Sequence, residues 1–63
     1  MTKAAAIKMA TAKARKNTRS YVVIREDGQY SVITDSEYWN GCYSESSFVV
    51  MVDSNGTLDY CGE

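Results

Sequence analysis

The chain has 63 residues, 44% of them apolar, with five Tyr, one Trp, one Phe, no His and a net charge of −1. That length holds one domain and leaves a small core, because such a chain buries only about 60% of the surface its unfolded form exposes. No apolar run approaches the roughly 18 residues that span a membrane, and the apolar and aromatic content is too high for a disordered chain.

The charges are segregated. All seven basic residues lie at or before Arg25 and all eight acidic residues at or after Glu26. The expected layout is a single small α+β domain over residues 1–63, made of a cationic helix over 1–19 and an anionic β body over 20–63.

From about Thr2 to Lys16 the residues are good helix formers uninterrupted by Gly or Pro. Ile7, Ala10 and Ala14 share a narrow face with Met9 and Ala6 beside it, an apolar stripe made mostly of methyl groups that can lie close to a sheet. Lys8, Ala12, Arg15 and Arg19 share another face if the helix runs that far. Asn17-Thr18 reads as the exit.

Tyr21 to Arg25 is β-branched and aromatic, Asp27-Gly28 is a type I′ hairpin signal, and the chain returns over Tyr30 to Thr34. A two-residue loop sets Val23 opposite Val32, Val22 opposite Ile33 and Arg25 opposite Tyr30. Both faces of this hairpin carry apolar side chains, which suits either a central place in the sheet or one face on the helix and the other on a partner. Thr34-Asp35-Ser36-Glu37 then matches a capping box, with Gly41 ending a helical turn over about Asp35 to Asn40 that clusters Tyr38, Trp39 and Tyr43.

A second hairpin is signalled by Phe48 to Val52, the Asn55-Gly56 turn and Thr57 to Cys61. With a two-residue loop, Met51 faces Tyr60 and Val52 faces Asp59. Val49, Met51, Leu58 and Tyr60 then form the inner face, and Phe48, Val50, Val52 and Asp59 the outer one. The expected fold is α+β: one N-terminal α-helix packed on a small antiparallel sheet of two β-hairpins.

Chemistry finds little footing. There is no histidine, nucleophile elbow, phosphate-cradling glycine loop or dinucleotide fingerprint, so no enzyme, catalytic residue or cofactor is expected. Asp35 and Glu37 are explained by capping. Asp53-Ser54-Asn55-Gly56 starts like a calcium loop, but Leu58 stands where the glycine of an EF-hand belongs. Cys42 and Cys61 fit no zinc spacing and, with no secretion signal, read as reduced thiols. The chain reads as soluble and cytoplasmic, in the host cytoplasm if phage-encoded.

The function expected is protein binding. Glu26, Asp27, Asp35, Glu37 and Glu45, with Tyr38, Trp39 and Tyr43, make an acidic, aromatic surface suited to a basic protein, where charge steers encounter and buried aromatics hold. Proteins with basic clefts typically handle nucleic acid, so the body is read as a nucleic-acid mimic, an inhibitor or modulator of the kind small phage or mobile-element proteins provide. Reversing Asp35 and Glu37 to lysine is expected to weaken that complex and spare the fold. The first alternative is nucleic-acid binding by Lys8, Arg15, Lys16 and Arg19 on the cationic helix. The second is a structural subunit of a self-associating complex, including a homodimer that sets one chain's cationic helix on an acidic sheet.

Overall fold

The computed structural model describes residues 1–41, 43 and 45–61, and of residues 45 and 59–61 the backbone alone. Helix α1 spans Lys3–Asn17, strand β1 Tyr21–Glu26, β2 Gln29–Thr34, helix α2 Asp35–Asn40, a 3₁₀ turn Glu45–Ser47, β3 Phe48–Val52 and β4 Leu58–Cys61. The strands form one sheet in the order β2-β1-β3-β4, with every neighbouring pair antiparallel. The expected α+β architecture is therefore present, with β1 and β3 pairing to join the two hairpins. The expectations for Cys42 lie outside the described residues, as do those for the side chains of Glu45, Asp59, Tyr60 and Cys61.

Thr2 caps α1, its side chain accepting a hydrogen bond from the Ala5 N–H at 3.1 Å. At the other end Thr18 turns left-handed at φ 50°, and the Thr18 and Arg19 N–H groups both reach the Ala14 carbonyl. Arg15 and Lys16 sit in the last turn, where the helix dipole favours cations. Ala6, Ala10 and Ala14 are each 0% exposed. They form a continuous methyl stripe against Tyr21, Val23, Val49, Val50 and Val52, with Ile7, Tyr30 and Val32 closing the edges. Alanine at all three contact positions lets the helix backbone settle close to the sheet.

The first hairpin has the expected register, with Val23 opposite Val32, Val22 opposite Ile33 and Arg25 opposite Tyr30. Asp27 at φ 53° and Gly28 at φ 77° make the tight turn that matches strand twist.

Two expectations are corrected. The β3–β4 loop has three residues rather than two: the Gly56 N–H returns to the Asp53 carbonyl, Gly56 takes φ 84°, and the Asp53 N–H bonds the Thr57 carbonyl. Asp53 Oδ1 holds the turn by accepting from the Asn55 and Thr57 N–H groups. Met51 still faces Tyr60, but Val52 faces Leu58, with Asp59 the extra residue of a bulge.

The assignment of faces on β3 also changes. Val23 faces Val50 while Ile24 faces Phe48, so Val49 is inserted as a second bulge. Val50 and Val52 consequently point at α1, whereas Met51 joins Val22, Ile24 and Phe48 on the far face. Strict alternation cannot reveal an inserted residue, and that is why the predicted inner and outer sets mixed the two.

Candidate partner-binding surface

The far face of the sheet is covered by α2 and its neighbours rather than by a long helix. Val22, Ile24 and Phe48 are buried there, beneath half-buried Ile33, Tyr38, Tyr43 and Met51. Thr34 ends β2 and caps α2 in the predicted capping box. The Thr34 hydroxyl accepts from the Glu37 N–H at 3.1 Å, and Glu37 Oε1 accepts from the Thr34 N–H at 3.2 Å. The Asp35 N–H donates to the Ser20 carbonyl at 3.3 Å, pinning the helix start to the α1–β1 connection.

Tyr38 organises the aromatic cluster. Its ring meets Phe48 edge-on at 5.5 Å between centroids, lies parallel to Tyr43 at 6.1 Å, and meets Trp39 edge-on at 5.4 Å. Tyr38 faces the sheet, so Trp39, one position and about 100° further round the helix, projects away from it. Trp39 is 71% exposed, the most exposed large apolar side chain among the described residues.

Gly41 ends α2 as expected, but not by left-handed geometry: its φ is −90°. Its small size is what matters, because a Cβ there would collide with the Tyr43 ring and the Glu37 carbonyl. Glycine thus lets the chain turn back tightly enough for Tyr43 to lie on Tyr38.

The predicted site residues fall into two groups. Asp35, Glu37, Tyr38, Trp39 and Tyr43 come together around α2. Glu26 and Asp27 sit at the opposite end of the β1–β2 hairpin, about five strand residues or roughly 17 Å away. There, with Arg25, Gly28, Tyr30, Ser46 and Ser47, they line a shallow open cleft of about 600 Å³. Glu45 opens the 3₁₀ turn that packs near β1, and its side chain lies outside the described residues. A single continuous acidic patch is therefore replaced by two ends.

The carboxylates at α2 also have structural work. Asp35 Oδ1 accepts from the Ser36 N–H at 2.9 Å and lies 3.8 Å from Arg19 Nε, while Arg19 Nη2 donates to the Ser36 hydroxyl at 3.0 Å. Reversing Asp35 and Glu37 to lysine would remove half of the capping box and the Arg19 contact, so its effect on a complex has to be read beside a stability loss of about 1 kcal/mol.

The cationic face is corrected in the same way. Because α1 stops at Asn17, Arg19 leaves the helix and turns to α2. Arg15 Nε donates to the Asn55 carbonyl at 3.3 Å, and its side chain lies over Gly56. Lys8 and Lys16 remain exposed on α1. The four cations do not form one stripe. Sequence reading missed Phe48 as the floor of the aromatic cluster, since the bulge that turns it to this face leaves no mark in the alternation.

No known protein family matches the chain, and no curated protein or solved structure is significantly similar to it. Among the described residues no helix is long and apolar enough to cross a membrane.

Proposed function

We propose that the chain is a protein-binding module whose contact surface is the Trp39 side of α2 and whose partner is a basic, nucleic-acid-handling protein that it inhibits or modulates. The observation that carries this reading is Trp39 itself, 71% exposed yet set on a ring stack anchored to the buried Phe48. Tryptophan is among the residues most enriched at binding hot spots, and its two-torsion side chain supplies a large contact area at low entropy cost on docking. The only charges on α2 are Asp35 and Glu37, and no basic residue follows Arg25 in the chain. Such a surface favours encounter with a positive one.

The test is capture from a nuclease-treated lysate followed by titration of the purified partner with the parent and Trp39→Ala chains. Loss of roughly 2 kcal/mol or more, about thirtyfold in affinity, supports the reading, as does competition by duplex DNA for the same partner. Unchanged affinity removes Trp39 from the contact. A saturable, steeply salt-dependent titration of the protein alone with duplex DNA would instead assign the function to exposed Lys8 and Lys16 on α1.

A further inference from the structure

The two edges of the sheet are unlike. β4 has four residues and a bulge against β3, devices that blunt an edge. β2 has six residues, Gln29-Tyr30-Ser31-Val32-Ile33-Thr34, paired to β1 without a break in register. It contains no charge, no proline and no bulge. We infer that β2 is a self-pairing edge, joining two copies of the chain through antiparallel β2–β2 contact centred on Val32.

The pairing geometry follows from the hairpin. Glu26 and Gln29 flank a two-residue turn and form its hydrogen-bonded pair, so Ser31 and Ile33 also direct their backbone groups to β1. Val32 and Thr34 direct theirs outward. The Thr34 N–H is already given to Glu37 Oε1, as that orientation requires. Val32 thus offers its N–H and carbonyl at the middle of the edge. A two-fold axis through Val32 lets each copy's Val32 N–H meet the other's Val32 carbonyl.

A second copy suits this edge better than an arbitrary strand for two reasons. In a two-fold pairing centred on Val32, Ser31 lies opposite the second copy's Ile33 and Tyr30 opposite its Thr34, so a charge at 31 or 32 would sit diagonal or opposite to its own copy; β2 has none there. Both apolar layers are also incomplete at this edge. Val32 is half-buried on the α1 side and Ile33 half-buried on the aromatic side, and pairing carries both layers on into the second copy. The axis stands perpendicular to the sheet, which places both α1 helices on one side and both Trp39 side chains on the other. The dimer would therefore offer a partner two equivalent anchors.

The experiment is sedimentation equilibrium of the full chain across a concentration series, with amide hydrogen exchange read at Val32. The expected result is an apparent mass approaching twice that of the chain, with Val32 exchange slowing as dimer accumulates. Added salt should strengthen the dimer, since pairing sets two cationic helices on the same side. Ser31→Lys puts a charge on the edge at an exposed position; it should return the chain to monomer with an unchanged circular dichroism spectrum. A chain that stays monomeric at millimolar concentration overturns the inference. So does a dimer that salt dissociates, which would be the cationic helix set on an acidic body, or one in which Val32 exchange does not change.

Discussion

Replacing Ala10 by leucine tests the seating of α1 most directly. Ala10 is the middle of three alanines that are each 0% exposed, and the strand residues beneath them, Val23, Val50 and Val52, are at most 2% exposed. The added isobutyl atoms have no cavity to enter, and overpacking of this kind costs about 1–3 kcal/mol. A chain of 63 residues has a total stability of only roughly 3–9 kcal/mol, at about 0.05–0.15 kcal/mol per residue. The substitution should therefore lower Tm by roughly 5–20 °C. Ala12 provides the control, because it is exposed on the same helix and leucine is nearly as good a helix former. Ala12→Leu should stay within about 0.5 kcal/mol of the parent. Ala10→Gly errs the other way and should cost about 1 kcal/mol in helix propensity plus about 0.8 kcal/mol for the lost methyl burial. Thermal and urea melts followed by circular dichroism measure all three. Equal losses at Ala10 and Ala12, or a stable Ala10→Leu, would refute the alanine stripe as the contact face.

Thr18→Gly should stabilise the chain by about 1 kcal/mol, because a β-branched residue is held at φ 50° where glycine sits without a steric penalty; a melting temperature at or below the parent's counts against that account. Glu37→Ala should cost about 1 kcal/mol through loss of the reciprocal cap, while Glu37→Gln keeps the hydrogen bonds and removes only the charge. Comparing the partner affinity of Glu37→Gln with that of the parent then reads electrostatics apart from folding. Gly41→Ala should lower stability and quench the aromatic packing seen by near-ultraviolet circular dichroism, since the new methyl meets the Tyr43 ring although φ −90° suits any residue. An unchanged near-ultraviolet spectrum would show that Tyr43 does not depend on that glycine.

Much of the fold was legible because local signals agreed with one another. The Asp27-Gly28 turn set the β1–β2 register and the Thr34 to Glu37 box set the start of α2, while the expected face of α1 was right for Ala6, Ala10 and Ala14 but wrong for Met9, which is 39% exposed. The failures in the strand faces share one cause. Val49 and Asp59 are each inserted without a partner, and an insertion shifts side-chain parity while leaving composition unchanged. Phe48 and Met51 could be assigned to the aromatic side only once β3 was seen paired to β1. Likewise, the hairpin signal at Asn55-Gly56 marked a turn correctly, but whether two or three residues make it depends on Asp53, whose carboxylate ties down the Asn55 and Thr57 N–H groups.

The charge segregation acquires a different meaning once the arginines are located. Arg15 reaches the β3–β4 turn and Arg19 reaches Asp35 and Ser36, so two cations of the basic segment fasten it to two corners of the acidic one. Exposed contacts of this kind contribute about 0–1 kcal/mol each, too little to hold α1 in place but enough to fix which corner of the sheet its C-terminal end faces. The alanine stripe provides the adhesion and the arginines the direction. Lys8, Lys13 and Lys16 stay exposed on α1. Internal complementarity accounts for part of the segregation, the cap of α2 for Glu37, and local backbone hydrogen bonds for Asp35 and Asp53. What the fold does not use is Trp39, whose indole covers none of the buried core and sits beside the only two charges of α2. Its one ring contact is edge-on to Tyr38, so most of the indole is left uncovered on the outer side of α2.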